Sequence, residues 1–213
     1  QGNGGAVCSH QSNSRFINCV FSGNRCGAIG SAIHFEDGST FIYNCTVSGN
    51  KSTSYAGAIG ATGAVNLKNI FNSIIYGNNF SAPEITPANL GVQNCIVRGG
   101  YAGPNITAID PGFLYPVSSD LAPTTLGNYS VGQCGPATDA GNNALLPFGL
   151  TNDVIGNPRV FNGTVDIGAY EIQSGLPAII PGAGGIVYVN KNITVPGNGS
   201  GWATATDELA HAL

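Results

Sequence analysis

Cys8, His10, His34 and Glu36 are the side chains whose types and spacing could do chemistry. A thiol, two imidazoles and a carboxylate form a ligand set that zinc accepts, and the same groups can pass protons. Cys8 stands 26 residues before His34, and His10 stands 26 residues before Glu36. That offset brings the pairs together only if the backbone returns on itself with the same period. Alternate side chains of a strand point to opposite faces. With Val7, Ile33 and Phe35 inward, all four candidates point outward on one side. No HExxH run and no paired CxxC frames a metal. The sequence therefore assigns no catalytic residue, no cofactor and no metal. The four read as the polar outer face of a sheet, with zinc as the alternative.

The period that would position them is present. Gly4-Gly5-Ala6-Val7 recurs as Gly30-Ser31-Ala32-Ile33 and as Ala56-Gly57-Ala58-Ile59, at steps of 26 residues. A second motif, Ile17-Asn18-Cys19-Val20-Phe21-Ser22-Gly23-Asn24, returns as Tyr43-Asn44-Cys45-Thr46-Val47-Ser48-Gly49-Asn50. Further copies are Phe71-Asn72-Ser73-Ile74-Ile75-Tyr76-Gly77-Asn78 and Gln93-Asn94-Cys95-Ile96-Val97. Repeats of this length mark a solenoid. The β-branched runs exclude helical repeats, and the Leu-x-x-Leu-x-Leu frame of leucine-rich repeats is missing. The fold class expected is all-β, a right-handed parallel β-helix. Val7, Ile33 and Ile59 should stack inward, followed two positions on by Ser9, Phe35 and Ala61. Asn24, Asn50 and Asn78 should form an amide ladder at the turn after a strand. Cys19 and Cys45 fall at equivalent positions, compatible with either a disulfide or a stack of buried thiols. Cys8 with Cys26 is a further possible pair.

Composition agrees with many short strands. Only 8% of residues are charged, while 42% are hydrophobic and 32 are Gly, which separates the chain from disordered sequences. The net charge of −4, from 7 basic and 11 acidic residues without a basic cluster, argues against nucleic acid as a partner. No apolar run is long enough to span a bilayer.

Four motifs follow in order: Asp110-Pro111-Gly112-Phe113, Gly135-Pro136-Ala137-Thr138-Asp139-Ala140-Gly141-Asn142, Gly156-Asn157-Pro158-Arg159 and Asp166-Ile167-Gly168-Ala169-Tyr170-Glu171. Together they resemble the closing signature of the right-handed β-helix proteins called choice-of-anchor Q, common on Bacteroidota surfaces. Cys134-Gly135-Pro136-Ala137-Thr138 departs from the Ser-Pro-Ala-Ile more usual there. The resemblance covers residues 1–171 and gives Asp166, Gly168, Tyr170 and Glu171 a structural, closing role. It implies an extracellular, outer-membrane-associated repeat of a giant adhesin, of the kind tied to type IX secretion and gliding. Neighbouring repeats, head to tail, would be its partners, with surface glycans as a further partner.

Residues 172–185 have linker composition. Residues 186–213 then read as the start of a following repeat, with a strand at Ile186-Val187-Tyr188-Val189-Asn190. A short capping α-helix is expected over residues 203–213, with Ser200 as N-cap. Two other functions fit a β-helix. A polysaccharide lyase-like enzyme needs clustered carboxylates, but the coils offer only Glu36 and Asp37 as neighbours, with Glu84 in a loop. A non-catalytic glycan-binding module would use exposed aromatics such as Tyr55, Tyr76 and Tyr101. The Asp/Asn loops leave room for one Ca²⁺, although none has the EF-hand pattern.

Overall fold

The structure is a computed structural model that describes residues 2–54, 57–63, 68–79, 83–87, 89–133, 135–173, 179–192 and 197–206. The chain divides into two compact units, residues 1–172 and 173–213. The first is an all-β parallel solenoid of about three turns. Sheet A stacks Val7–His10, Ile33–Glu36, Ile59–Thr62 and Ile85–Thr86. Sheet B stacks Ser14–Ile17, Thr40–Tyr43, Lys68–Phe71 and Gly91–Gln93. Sheet C stacks Val20–Ser22, Thr46–Ser48, Ile74–Ile75, Cys95–Val97 and Ile106–Thr107. Every pairing within these sheets is parallel. The strand ladders therefore link residues one repeat apart rather than neighbours in the chain.

The apolar rows fill the solenoid. Val7, Ile33, Ile59 and Ile85 stack from sheet A. Phe16, Ile42, Ile70 and Val92 stack from sheet B. Phe21, Val47, Ile75 and Val97 stack from sheet C. They form one core with Phe35, Cys45 and Cys95. Tyr101 packs against it, its hydroxyl accepting from the Leu90 amide at 2.8 Å and donating to the Pro87 carbonyl at 2.8 Å.

A second core lies outside the solenoid. Ile74 and Ile96, which sheet C turns outward, pack with Val131, Ala137 and Ile167. The chain from Phe113 to Ile172 thus folds back over sheet C, beginning with an antiparallel pair, Phe113–Tyr115 with Asn128–Val131.

In the second unit Val189 bridges Thr206 in parallel. The described start of the expected helix, Trp202–Thr204, is a single 3-10 turn preceded by Gly201, with no side-chain cap. Residues 207–213 lie outside the described residues, as do Tyr55 and Cys134, so an α-helical cap is not part of the described fold.

Candidate functional site

The strand register places Cys8 beside His34 and His10 beside Glu36. Cys8 Sγ lies 3.7 Å from His34 Nδ1, and His10 Nδ1 lies 3.1 Å from Glu36 Oε2. The two pairs have different surroundings. His10 and Glu36 are well exposed, so their contact contributes little to stability. His34, expected on the solvent side, is instead 0% exposed. The reason is the turn before the second coil. The next residue in the row is Gly60, and the Ile29 side chain lies 2.3 Å from where a Cβ of Gly60 would stand. A chain segment therefore lies over the outer face beside the imidazole. His34 Nε2 is 3.1 Å from Thr62 Oγ1. Burial lowers the His34 pKa, Lys68 adds to that, and Glu36 opposes it, so the ring is held neutral. Among the described residues, no three His, Cys, Asp or Glu side chains converge where an ion could sit.

The other polar rows bind backbone. Asn24, Asn50 and Asn78 form a continuous amide ladder. Asn50 Oδ1 accepts from the Asn24 amide and side chain at 2.9 and 2.8 Å, and Asn78 Oδ1 does the same for Asn50 at 3.0 and 2.8 Å. Glu84 ends the row. Its carboxylate accepts from the Asn78 amide at 3.2 Å and from its side chain at 2.8 Å, and Arg98 Nε donates to it at 2.7 Å. Glu84 is thus not a loose loop acid but the fourth member of the ladder, 2% exposed.

A thiol row runs parallel to it. Cys45 Sγ accepts from the Cys19 amide at 3.4 Å and donates to the Tyr43 carbonyl at 3.2 Å. Ser73 Oγ repeats this with the Cys45 amide at 3.0 Å and the Phe71 carbonyl at 2.7 Å. Cys95 repeats it with the Ser73 amide at 3.3 Å and the Gln93 carbonyl at 3.1 Å. Cys8, Cys19, Cys26, Cys45 and Cys95 are all free thiols. Burial raises the Cys45 pKa and pushes that of Cys95 to about 12, which keeps both protonated and able to donate.

A second asparagine row carries the closing segment. Asn18, Asn44, Asn72 and Asn94 all have φ near +50°, at 52, 48, 46 and 50°. That left-handed conformation suits asparagine among non-glycine residues. The side chains of Asn18, Asn44 and Asn72 turn toward the folded-back chain. Asn72 Oδ1 accepts from the Asn142 amide at 2.9 Å, Asn44 reaches the Asp166 carbonyl, and Asn18 donates to the Asn152 carbonyl. The repeated Asn-Cys and Asn-Ser motifs show this row as a period in the sequence, while its docking role depends on where the closing segment lands.

The closing residues form a buried knot. Arg159, 1% exposed, donates to the carbonyls of Ala169, Asp166 and Gly168 at 3.1, 2.9 and 3.1 Å and faces Glu171 Oε2 at 3.4 Å. Asp166 accepts from the amides of Asp139 and Ile172, both at 2.7 Å. Glu171 accepts from those of Phe161 and Asp166, both at 2.9 Å. Asp153 accepts from the Glu171 amide at 2.9 Å. Burial raises Asp166 and lifts Glu171 from 4.5 to about 7 against the pull of its amide donors and Arg159. Tyr170 offers Arg159 its carbonyl at 3.4 Å, and burial raises its phenol. Gly168, at φ 108°, is where this knot meets sheet C. A Cβ there would stand 2.8 Å from Ile74 Cδ1 and 3.0 Å from Thr46 Oγ1.

The outer face of sheet B carries a third feature. Arg15 lies over the Phe41 ring at 5.7 Å, Phe41 and Tyr43 are parallel at 6.0 Å, and Tyr43 meets Phe71 at 5.4 Å. Of the tyrosines named as glycan contacts, Tyr76 packs in the second core and Tyr101 in the first. No family model matches the chain, and no curated protein or solved structure is significantly similar to it.

Proposed function

We propose that this chain is a structural and adhesive segment of an exported bacterial cell-surface protein, a right-handed β-helix of the choice-of-anchor Q type repeated head to tail. Support comes from how its polar side chains are spent. The asparagine ladder, the thiol row and the Arg159 knot all bind backbone, and together they stitch each turn to the next and the closing segment to the stack. A rod built this way holds its shape through many short-range links between neighbouring repeats. Gliding motility and type IX export belong to this reading through the family resemblance alone. The test is electron cryomicroscopy of the native full-length protein on cells. Domains strung head to tail in a thread support the reading, while a lone compact β-helix with a deep charged cleft refutes it.

A second reading, a non-catalytic glycan-binding module, draws on the outer row of Phe41, Tyr43 and Phe71 beside Arg15. Glycan-array binding that disappears in Tyr43→Ala would favour it.

A further inference from the structure

We propose that Cys8 is an imidazole-assisted nucleophilic thiol, and that the outer face of the first coil is a site of covalent modification by small organic disulfides. The proposal does not depend on the adhesive reading. It starts from a contrast among the thiols. Cys19, Cys26, Cys45 and Cys95 donate to backbone carbonyls, of Ile17, Ala28, Tyr43 and Gln93 respectively. Cys8 alone among the described cysteines has a nitrogen base for a partner, and it is exposed.

The three parts of an activated nucleophile are in place: a nucleophile, a base within reach, and a group that orients the base. With Nε2–H donating to Thr62 Oγ1, the Nδ1 lone pair of His34 is left for the Cys8 S–H. The ring cannot swing away, because it is fully buried. The charged groups around it are Lys68, which disfavours a proton on the ring, and Glu36, which favours one, with His10 paired to Glu36 beyond. The imidazole is therefore in its base form at neutral pH.

The step balances without a further reactant. The Cys8 proton moves to His34 Nδ1, and the thiolate attacks one sulfur of the disulfide R–S–S–R. A new S–S bond forms at Cys8 while the original one breaks. The departing thiolate takes the proton back from His34 and leaves as R–SH. Cys8 is oxidised, half of the small disulfide is reduced, and His34 returns to its starting state.

The test treats the 213-residue chain with the neutral probe 2-hydroxyethyl disulfide at pH 6.5 and follows the mixed disulfide at Cys8 by peptide mass spectrometry. Cys8 is expected to react on the order of tenfold or more faster than free cysteine, and His34→Gln should remove that advantage. Thr62→Val, which takes away only the orienting hydroxyl, should lower the rate several-fold while the melting temperature holds. Cys8→Ser identifies the modified peptide. A wild-type rate no faster than that of free cysteine overturns the proposal. So does an unchanged Cys8 rate in a folded His34→Gln protein. If His34→Gln fails to fold, an unchanged rate in Thr62→Val overturns it equally.

Discussion

Replacing Asn50 by alanine should be among the most damaging single changes a polar residue of this solenoid can suffer. Asn50 is 0% exposed and sits in the middle of its ladder. Its Oδ1 takes the Asn24 amide and side chain, while its Nδ2 donates to Phe21 O, Ser48 O and Asn78 Oδ1 at 2.8, 3.0 and 2.8 Å. Truncation leaves the Asn24 N–H without its acceptor, which costs about 1–3 kcal/mol. The other bonds share donors and acceptors, so together they add roughly 2 kcal/mol rather than the sum of separate values. The expected loss is about 4 kcal/mol. Asn24→Ala, at the half-buried end of the same row, removes only donations to Ser22 O and Asn50 Oδ1 and should cost about 1 kcal/mol. Urea unfolding of wild type and both variants measures the difference directly, provided the slope is unchanged. Equal losses at Asn24 and Asn50, or a loss at Asn50 below about 0.5 kcal/mol, would show that the ladder is decoration on a stack held by its apolar rows.

Cys45→Ser should be nearly neutral, because Ser73 already performs the same relay one turn on, whereas Cys45→Ala strands the Cys19 amide and should cost about 2 kcal/mol by the same unfolding assay. Equal melting of the two variants would contradict the relay. Gly168→Ala forces a Cβ against Ile74 and Thr46 at φ 108° and should loosen the closing segment by about 2–4 kcal/mol. Limited proteolysis should then cut within residues 139–171 while the coils stay intact, and an unchanged digestion pattern would sink the idea. For pH, Glu171 is lifted from 4.5 to about 7 by burial, so the folded chain keeps a proton that the unfolded chain releases. Its contribution is complete below about pH 4.5 and is lost as pH rises through 7, up to roughly 3 kcal/mol. Asp166, raised for the same reason, acts in the same direction. His34 and Cys19, whose pKa values are lowered, act in the opposite direction, so the contribution of Glu171 is read as a difference. Wild type should lose melting temperature relative to Glu171→Gln between pH 5 and 8, and a difference that stays constant or changes the other way would refute the assignment.

The parts that were legible in the sequence are those fixed by period and alternation. The 26-residue step paired Val7 with Ile33 and Ile59, and it paired Cys8 with His34, because a parallel stack repeats one register without end effects. What period cannot convey is what lies on top of a face. His34 was legible as outward but not as buried, since its cover is a turn that comes from the connecting segment rather than from the strand pattern. Glu84 was hidden for a different reason. The ladder needs an acceptor at that height, and a carboxylate neutralised by Arg98 serves as well as an amide, so the chemistry continued while the residue type changed. The landing place of the closing segment was harder still. It depends on Asn18, Asn44 and Asn72 using one backbone conformation to turn the chain and their amides to hold residues about 70 to 134 positions away. One asparagine thus answers two demands, a left-handed turn and a docking group, and a repeat motif displays only the first. The same economy explains the thiol row. Its positions want a small side chain able to accept an N–H and donate to a carbonyl, a demand that Cys and Ser meet alike, so the reduced ladder is accounted for by hydrogen bonding without any appeal to redox chemistry. Cys8 lies outside that demand, on the outward face of its strand and opposite an imidazole rather than a backbone carbonyl.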